Sequence, residues 1–349
     1  MRNRSTVSPK ALAALVLLLF ATALGTATLS ACGGSSTQAG SSSATPTATS
    51  SSATPRPLPV AVKEFRGTLP VLTVSMLVEQ GPYESTKTVG DVVQMRNAVW
   101  TYRQESSDPR LTGTYNVMIN VDQRQSDLSA TLWGTSRLRN AGGTWAGPWT
   151  GAIAAGGNEH HMFWTMKGEG EYAGLVFHGN GWFVEAGEGF TPDIQIVFAG
   201  YLETTDGSPV PSAPGPGSTP ANLTPVVVMA TFDQVGYDTH VFTLDAEASD
   251  PRASGRLSGT LVERSVQRLD GSVDYGGSWT LTNEEGDWAC PDVLGVRGGG
   301  TVEHFQYWVY TGSGAYEGLT LHYLSHFMER KTFVTGDTLV DTGWIEEAE

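Results

Sequence analysis

Seven histidines lie in this 349-residue chain, all beyond residue 150, and six of them (His160, His161, His178, His304, His322 and His326) gather around two similar stretches. Imidazoles in that number could hold a metal ion or relay protons. Their spacing argues against local chelation. The flanking residues alternate as strands do, so His160 and His161 would point to opposite faces. His322 and His326, four residues apart at about 3.3 Å per residue, would stand about 13 Å from each other. No metal is predicted. Neither Gly-x-Ser-x-Gly nor His-Glu-x-x-His occurs, and carboxylate pairs such as Glu169 with Glu171, or Glu284 with Glu285, have no spacing that marks an acid and its base. No catalytic residue is identified.

A pocket is the better reading of the same residues. Glu159, His160, Trp164 and His178 recur as Glu303, His304, Trp308 and His322. Alternation puts His160 and Trp164 on one face, and His304 and Trp308 likewise. If that face lines a barrel, an aromatic wall with one titratable donor would suit a small, partly apolar ligand.

The repetition extends well beyond these positions. Ser107-Asp108-Pro109-Arg110 returns as Ser249-Asp250-Pro251-Arg252, and Gly168-x-Gly170-x-Tyr172-x-Gly174-Leu175 as Gly312-x-Gly314-x-Tyr316-x-Gly318-Leu319. Gly200-Tyr201-Leu202-Glu203 matches Gly343-Trp344-Ile345-Glu346, and Gly142-Gly143-Thr144-Trp145 is read as recurring in Gly276-Gly277-Ser278-Trp279. An offset near 143 residues far exceeds solenoid periods, so each copy is expected to fold by itself.

Within a copy, Tyr115, Val117, Ile119 and Val121 alternate with Asn116, Met118 and Asn120, the pattern of a strand with two unlike faces. With 42 glycines, 18 prolines and little helical periodicity, the chain reads as all-β: two tandem antiparallel β-barrels of about eight strands each. A two-sheet sandwich is the rival architecture. The expected order is a signal peptide over 1–31, a lipidated Cys32 with a tether over 32–59, a first barrel over 60–206, a linker over 207–224 and a second barrel over 225–349.

The glycine–tyrosine motif after an apolar strand, preceded by a Gly-Gly-Thr/Ser-Trp strand, resembles the allene oxide cyclase and dirigent-type barrel. That resemblance implies a cavity able to hold a hydrophobic or phenolic intermediate. Gly168, Gly170, Gly312 and Gly314 carry over from it as turn or bulge positions that need permissive backbone angles. The motif is not Gly-x-Gly-x-x-Gly and no helix signal follows it, so no nucleotide is implied and no cofactor is predicted.

At the N-terminus, Arg2, Arg4 and Lys10 precede an apolar run from Ala11 to Leu24 and then Leu29-Ser30-Ala31-Cys32. The run is about 14 residues, short of the ~20 that a spanning helix needs. Its end resembles the lipobox of bacterial lipoproteins, which implies cleavage before Cys32, acylation of its thiol and a membrane as partner. The segment after it is Ser, Thr, Ala, Pro and Gly, too polar to build a core, with a reach of roughly 30 Å as a flexible chain. Cys290, the other cysteine, reads as a small buried hydrophobe.

The formal charge of -15 would become -18 once Arg2, Arg4 and Lys10 left with the leader. Such a surface repels phosphate backbones, so nucleic acid is excluded as a partner. The expected function is a membrane-anchored, extracytoplasmic, non-catalytic protein that binds a small hydrophobic molecule or presents an envelope surface. Cyclisation or coupling of a hydrophobic or phenolic intermediate is the enzymatic alternative, and a purely structural module is the third.

Overall fold

In the computed structural model the described residues are 68–157, 159–184, 195–236, 240–264, 273–297, 303–328 and 333–347. The expected signal peptide, Cys32 and the expected tether lie outside them. The first sheet contains β1 (Thr68–Gln80), β2 (Ser85–Val89), β3 (Val92–Ser106), β4 (Gly113–Arg124), β5 (Ala130–Arg139), β6 (Gly143–Ile153), β7 (Glu159–Gly170), β8 (Leu175–Val184) and β9 (Gln195–Thr204). All pairings are antiparallel. β1 pairs with both β9 and β3, which closes eight strands into a barrel and leaves β2 as an added hairpin arm on β3. Closure removes the free edges that an open sheet would expose.

The second sheet contains β10 (Leu223–Gly236), β11 (Val241–Ala248), β12 (Gly255–Thr260), β13 (Val262–Glu263), β14 (Val273–Gly276), β15 (Trp279–Thr282), β16 (Gly286–Cys290), β17 (Leu294–Arg297), β18 (Glu303–Gly314), β19 (Leu319–Met328) and β20 (Thr338–Glu347). Eight of these close a second barrel through the β18–β19 pairing. The two-barrel expectation holds. The second barrel begins slightly before its expected bound of 225, since β10 starts at Leu223.

Alternation places the core as expected: Tyr115, Val117, Ile119 and Val121 are all buried in the first barrel. The repeated Ser-Asp-Pro-Arg motif forms a short 3-10 turn, Pro109–Leu111 in one barrel and Pro251–Ala253 in the other. Asp108 Oδ1 accepts from the Arg110 amide at 3.0 Å and its carboxylate pairs with the same residue's guanidinium; Asp250 and Arg252 do likewise. Proline suits the first turn position because its missing N–H would have no partner there.

Each turn is pinned by the same set of side chains. Trp145 Nε1 donates to the Arg110 carbonyl at 2.8 Å, and its ring stacks on Tyr172 at 5.2 Å. Tyr172 donates to Asn140, whose amide donates to the Arg110 carbonyl. In the second barrel the tryptophan in this place is Trp288, bonded to the Arg252 carbonyl at 2.8 Å and stacked on Tyr316, with Asn283 as the amide. The match of Gly142-Gly143-Thr144-Trp145 with Gly276-Gly277-Ser278-Trp279 is therefore corrected. Trp288 keeps the 143-residue offset, whereas Trp279 sits one strand earlier, on β15, and faces the barrel interior.

The glycine motif spans the turns from β7 to β8 and from β18 to β19. Gly170 (φ 73°) and Gly314 (φ 67°) occupy the left-handed region, as the resemblance implied. Gly168 and Gly312 do not. They are glycines because a Cβ at either would collide with the carbonyl oxygen of Tyr172 or Tyr316.

Phe65–Glu349 packs as one unit in which the two barrels touch. Trp182 stacks on Tyr307 at 3.9 Å, and Leu72, Ala199, Leu324 and Trp344 are buried beside them. Asn180 donates to Thr342 at 2.9 Å, and Thr150 to Glu303 at 2.9 Å. The joint is thus apolar at its centre with two hydrogen bonds across it, although the buried Trp182 Nε1 has no hydrogen-bond partner.

Candidate functional site

A strand presents alternate residues to alternate faces, and β18 and β7 obey this strictly. His304, Gln306, Trp308 and Tyr310 point into the second barrel, as His160, Trp164 and Met166 point into the first. Of the sequence candidates, His160, Trp164, His304 and Trp308 are therefore interior. Each histidine stacks on a phenylalanine of the next strand, His160 on Phe183 at 4.4 Å and His304 on Phe327 at 4.7 Å.

Glu159, Glu303, His178 and His322 occupy the opposite face and do not join that set. Glu303 lies at the joint between barrels, where it accepts from Thr150 and meets His326 Nε2 at 3.2 Å. Burial alone would raise its pKa, but these two partners outweigh it and hold the carboxyl below its ordinary value. Glu159 is 3.9 Å from His161, whose pKa is lowered chiefly by complete burial. His178 pairs with Glu203 at 2.9 Å and stacks on Tyr201; His322 pairs with Glu346 at 3.0 Å and stacks on Trp344. This duplicated pair ties the last two strands of each barrel together. Burial depresses the His322 pKa more than Glu346 raises it.

The interior of the second barrel holds a cavity of about 290 Å³. Its wall includes Phe242, Leu257, Tyr275, Trp279, Trp308 and Phe327, with His304, Gln306 and Asp341 among the polar residues. The local cause is visible in the strands. The place of the first barrel's continuous β6 is divided between β16, which ends at Cys290 before Pro291, and β17, which pairs with the other half of β18. A proline cannot donate to the ladder, and the sheet forks at this break. β14 joins β17 instead of continuing the ring, carrying Tyr275 and the neighbouring β13 residue Glu263 to the cavity wall.

Asp341 is the residue that sequence reasoning missed. It projects inward from β20 and is 2% exposed, its Oδ2 accepting from the Tyr323 hydroxyl at 2.8 Å. Oδ1 has no hydrogen-bond partner at bonding distance, nor do the neighbouring Ser325 Oγ and the Nε1 atoms of Trp279 and Trp308. Burial lifts the Asp341 pKa to about 6, against the pull of Ser325 and Tyr323 in the other direction.

The first barrel shows what this position does when it is apolar. Equivalent registers align Asp341 with Phe198, Ser325 with Gly181 and Tyr323 with Gly179. Phe198 packs edge-on against Trp164 at 4.8 Å and lies over Gly181, where any side chain would strike its ring. Where the first barrel has a ring over Gly181, the second has a carboxylate, with Ser325 in the place of Gly181 and Tyr323 in the place of Gly179. The departure of Asp341 from an otherwise apolar inward position, next to the Gly343-Trp344-Ile345-Glu346 match, is the signal in the sequence that could have found it.

A shallower depression of about 340 Å³ lies at the pinned turn of the first barrel, between Pro109, Tyr172 and Gly217. It holds no titratable group beyond the Tyr172 already bonded to Asn140. Among the described residues no group of three or more His, Cys, Asp or Glu is placed to hold a metal ion. Compared with known proteins, the chain matches no family model, no curated protein and no solved structure.

Proposed function

We propose that the protein binds a small molecule inside its second barrel, while a lipid on Cys32 holds it at the outer face of a bacterial membrane. The observation that carries the binding reading is the cavity around Asp341. An aromatic enclosure with a few fixed polar groups is the usual form of a small-molecule site, and 290 Å³ lies at the lower end of the usual size. The first barrel, with Phe198 in the equivalent place, then serves as the scaffold against which the second is braced.

Native mass spectrometry of the Cys32→Ser chain tests the pocket. The expected result is a co-purifying mass released on denaturation and lost in Leu257→Phe, which pushes a larger side chain into the cavity. A clean apo mass in the parent chain, with no uptake of small aromatic probes, would refute it. Cyclisation or coupling, implied by the barrel resemblance, would instead appear as a change in mass of a hydrophobic or phenolic compound during incubation. The anchor is tested by fractionation: Cys32→Ser should move the protein out of the membrane pellet, and persistence there at the unprocessed mass would refute the anchor.

A further inference from the structure

Asp341 poses an electrostatic problem that the protein does not solve by itself. Its carboxyl is enclosed by the barrel, one oxygen is bonded to Tyr323, and no salt bridge reaches it among the described residues. The groups acting on it are its own burial, Ser325 and Tyr323, none of them cationic. Tyr310, on which the Asp341 charge acts, adds a neutral phenol. The other titratable residues of the wall are His240, Glu263, Tyr275, Arg297 and His304. Arg297 pairs in register with His304, and His304 with Phe327, which places both one inward layer from Ser325 and Asp341 along β18 and β19.

A buried carboxylate without a counter-charge is costly, and a bound cation removes that cost. The walls suit an organic cation better than a bare ion. Trp279 and Trp308 stand edge to face at 6.2 Å, Tyr323 meets Trp308 edge to face at 5.1 Å, and such rings attract ammonium groups while covering an apolar body. An anion would meet Arg297 but also Asp341 and Glu263 in the wall, and the chain's charge of -15 further favours approach of a cation.

We propose that the second barrel takes a protonated primary or secondary amine with a small aromatic or aliphatic body, its ammonium group bonded to Asp341 and its body against Trp279, Trp308 and Tyr323. This rests on the reading of the cavity as a small-molecule site. The ammonium donates to the free Oδ1, a charge-assisted bond, and one cavity of this size admits a ring with a two-carbon arm.

Isothermal titration of the Cys32→Ser chain at neutral pH with phenethylamine, 2-phenylethanol and phenylacetate tests it, because the three share a ring and differ in charge. The amine should bind at least tenfold more tightly than the alcohol, and the carboxylate most weakly. In Asp341→Asn that ranking should collapse. Equal binding of amine and alcohol in the parent chain, or a preference for the carboxylate, overturns the amine assignment while leaving the pocket. An amine preference that survives Asp341→Asn overturns the role of Asp341. Absence of binding by all three refutes the cavity reading, and the amine with it.

Discussion

Asp341→Asn should stabilise the protein at neutral pH and leave it unchanged in acid. In the folded chain burial raises this carboxyl from 3.8 to about 6, so the native state holds the proton more tightly than the unfolded state does. Between about pH 4 and pH 6 the native state therefore binds more protons, and stability falls as pH rises through that window. The gap between 3.8 and about 6, at about 1.4 kcal/mol for each tenfold, corresponds to about 3 kcal/mol lost by pH 7. Asparagine has the same shape and can still accept the Tyr323 bond, but it never ionises. Urea unfolding at pH 4 and at pH 7, followed by tryptophan fluorescence, would measure the effect. Only the difference between variant and parent matters, because other carboxylates titrate over the same range. The variant should gain up to about 3 kcal/mol at pH 7 and nothing at pH 4. An equal offset at both pH values would refute the claim that Asp341 is an uncompensated buried charge, and a loss at pH 7 would show that an internal cation neutralises it.

The paired turns make a graded prediction. Asp108 and Arg110 are 3% and 6% exposed, Asp250 and Arg252 17% and 29%, so Asp108→Ala should cost about 3–5 kcal/mol and Asp250→Ala clearly less, as read by urea midpoints. Gly312→Ala should destabilise by about 1–3 kcal/mol, because the new methyl meets the Tyr316 carbonyl oxygen. Gly318→Ala, at φ 85° with open space around it, should cost only about 1 kcal/mol for its backbone angle. The Cys290 thiol is 1% exposed and burial pushes its pKa up to about 11, so iodoacetamide at pH 8 should label it only after unfolding. Rapid labelling of the folded chain would show that β16 is open to solvent.

Much of this architecture is a local property of the sequence. Alternation at Tyr115 to Val121 identifies a strand and its buried face, and the repeated Asp-Pro-Arg and Gly-x-Gly-x-Tyr-x-Gly segments identify duplicated turns, because backbone angle, side-chain period and capping act over a few neighbours. The same logic correctly put His160 with Trp164 and His304 with Trp308. It also sets Glu159 and Glu303 on the opposite face, but it could not place His178 and His322, which lie on other strands, or say what that opposite face meets. Whether a strand's outward face meets water or a second barrel depends on docking, and the docking surface appears only when Trp182 reaches Tyr307.

The tertiary structure alone decided where the unusual residue lies. Asp341 is an unremarkable acid in a row of 36 acidic side chains until ring closure encloses it beside Tyr323 and Ser325. Trp288 likewise becomes the partner of Trp145 only through its bond to the Arg252 carbonyl, 36 positions away in the chain. Short-range spacing determined the strands, the turns and the duplication of the domain. Burial, charge compensation and the cavity are sums over residues distant in sequence, and a single chain written in one dimension does not contain those distances until it folds.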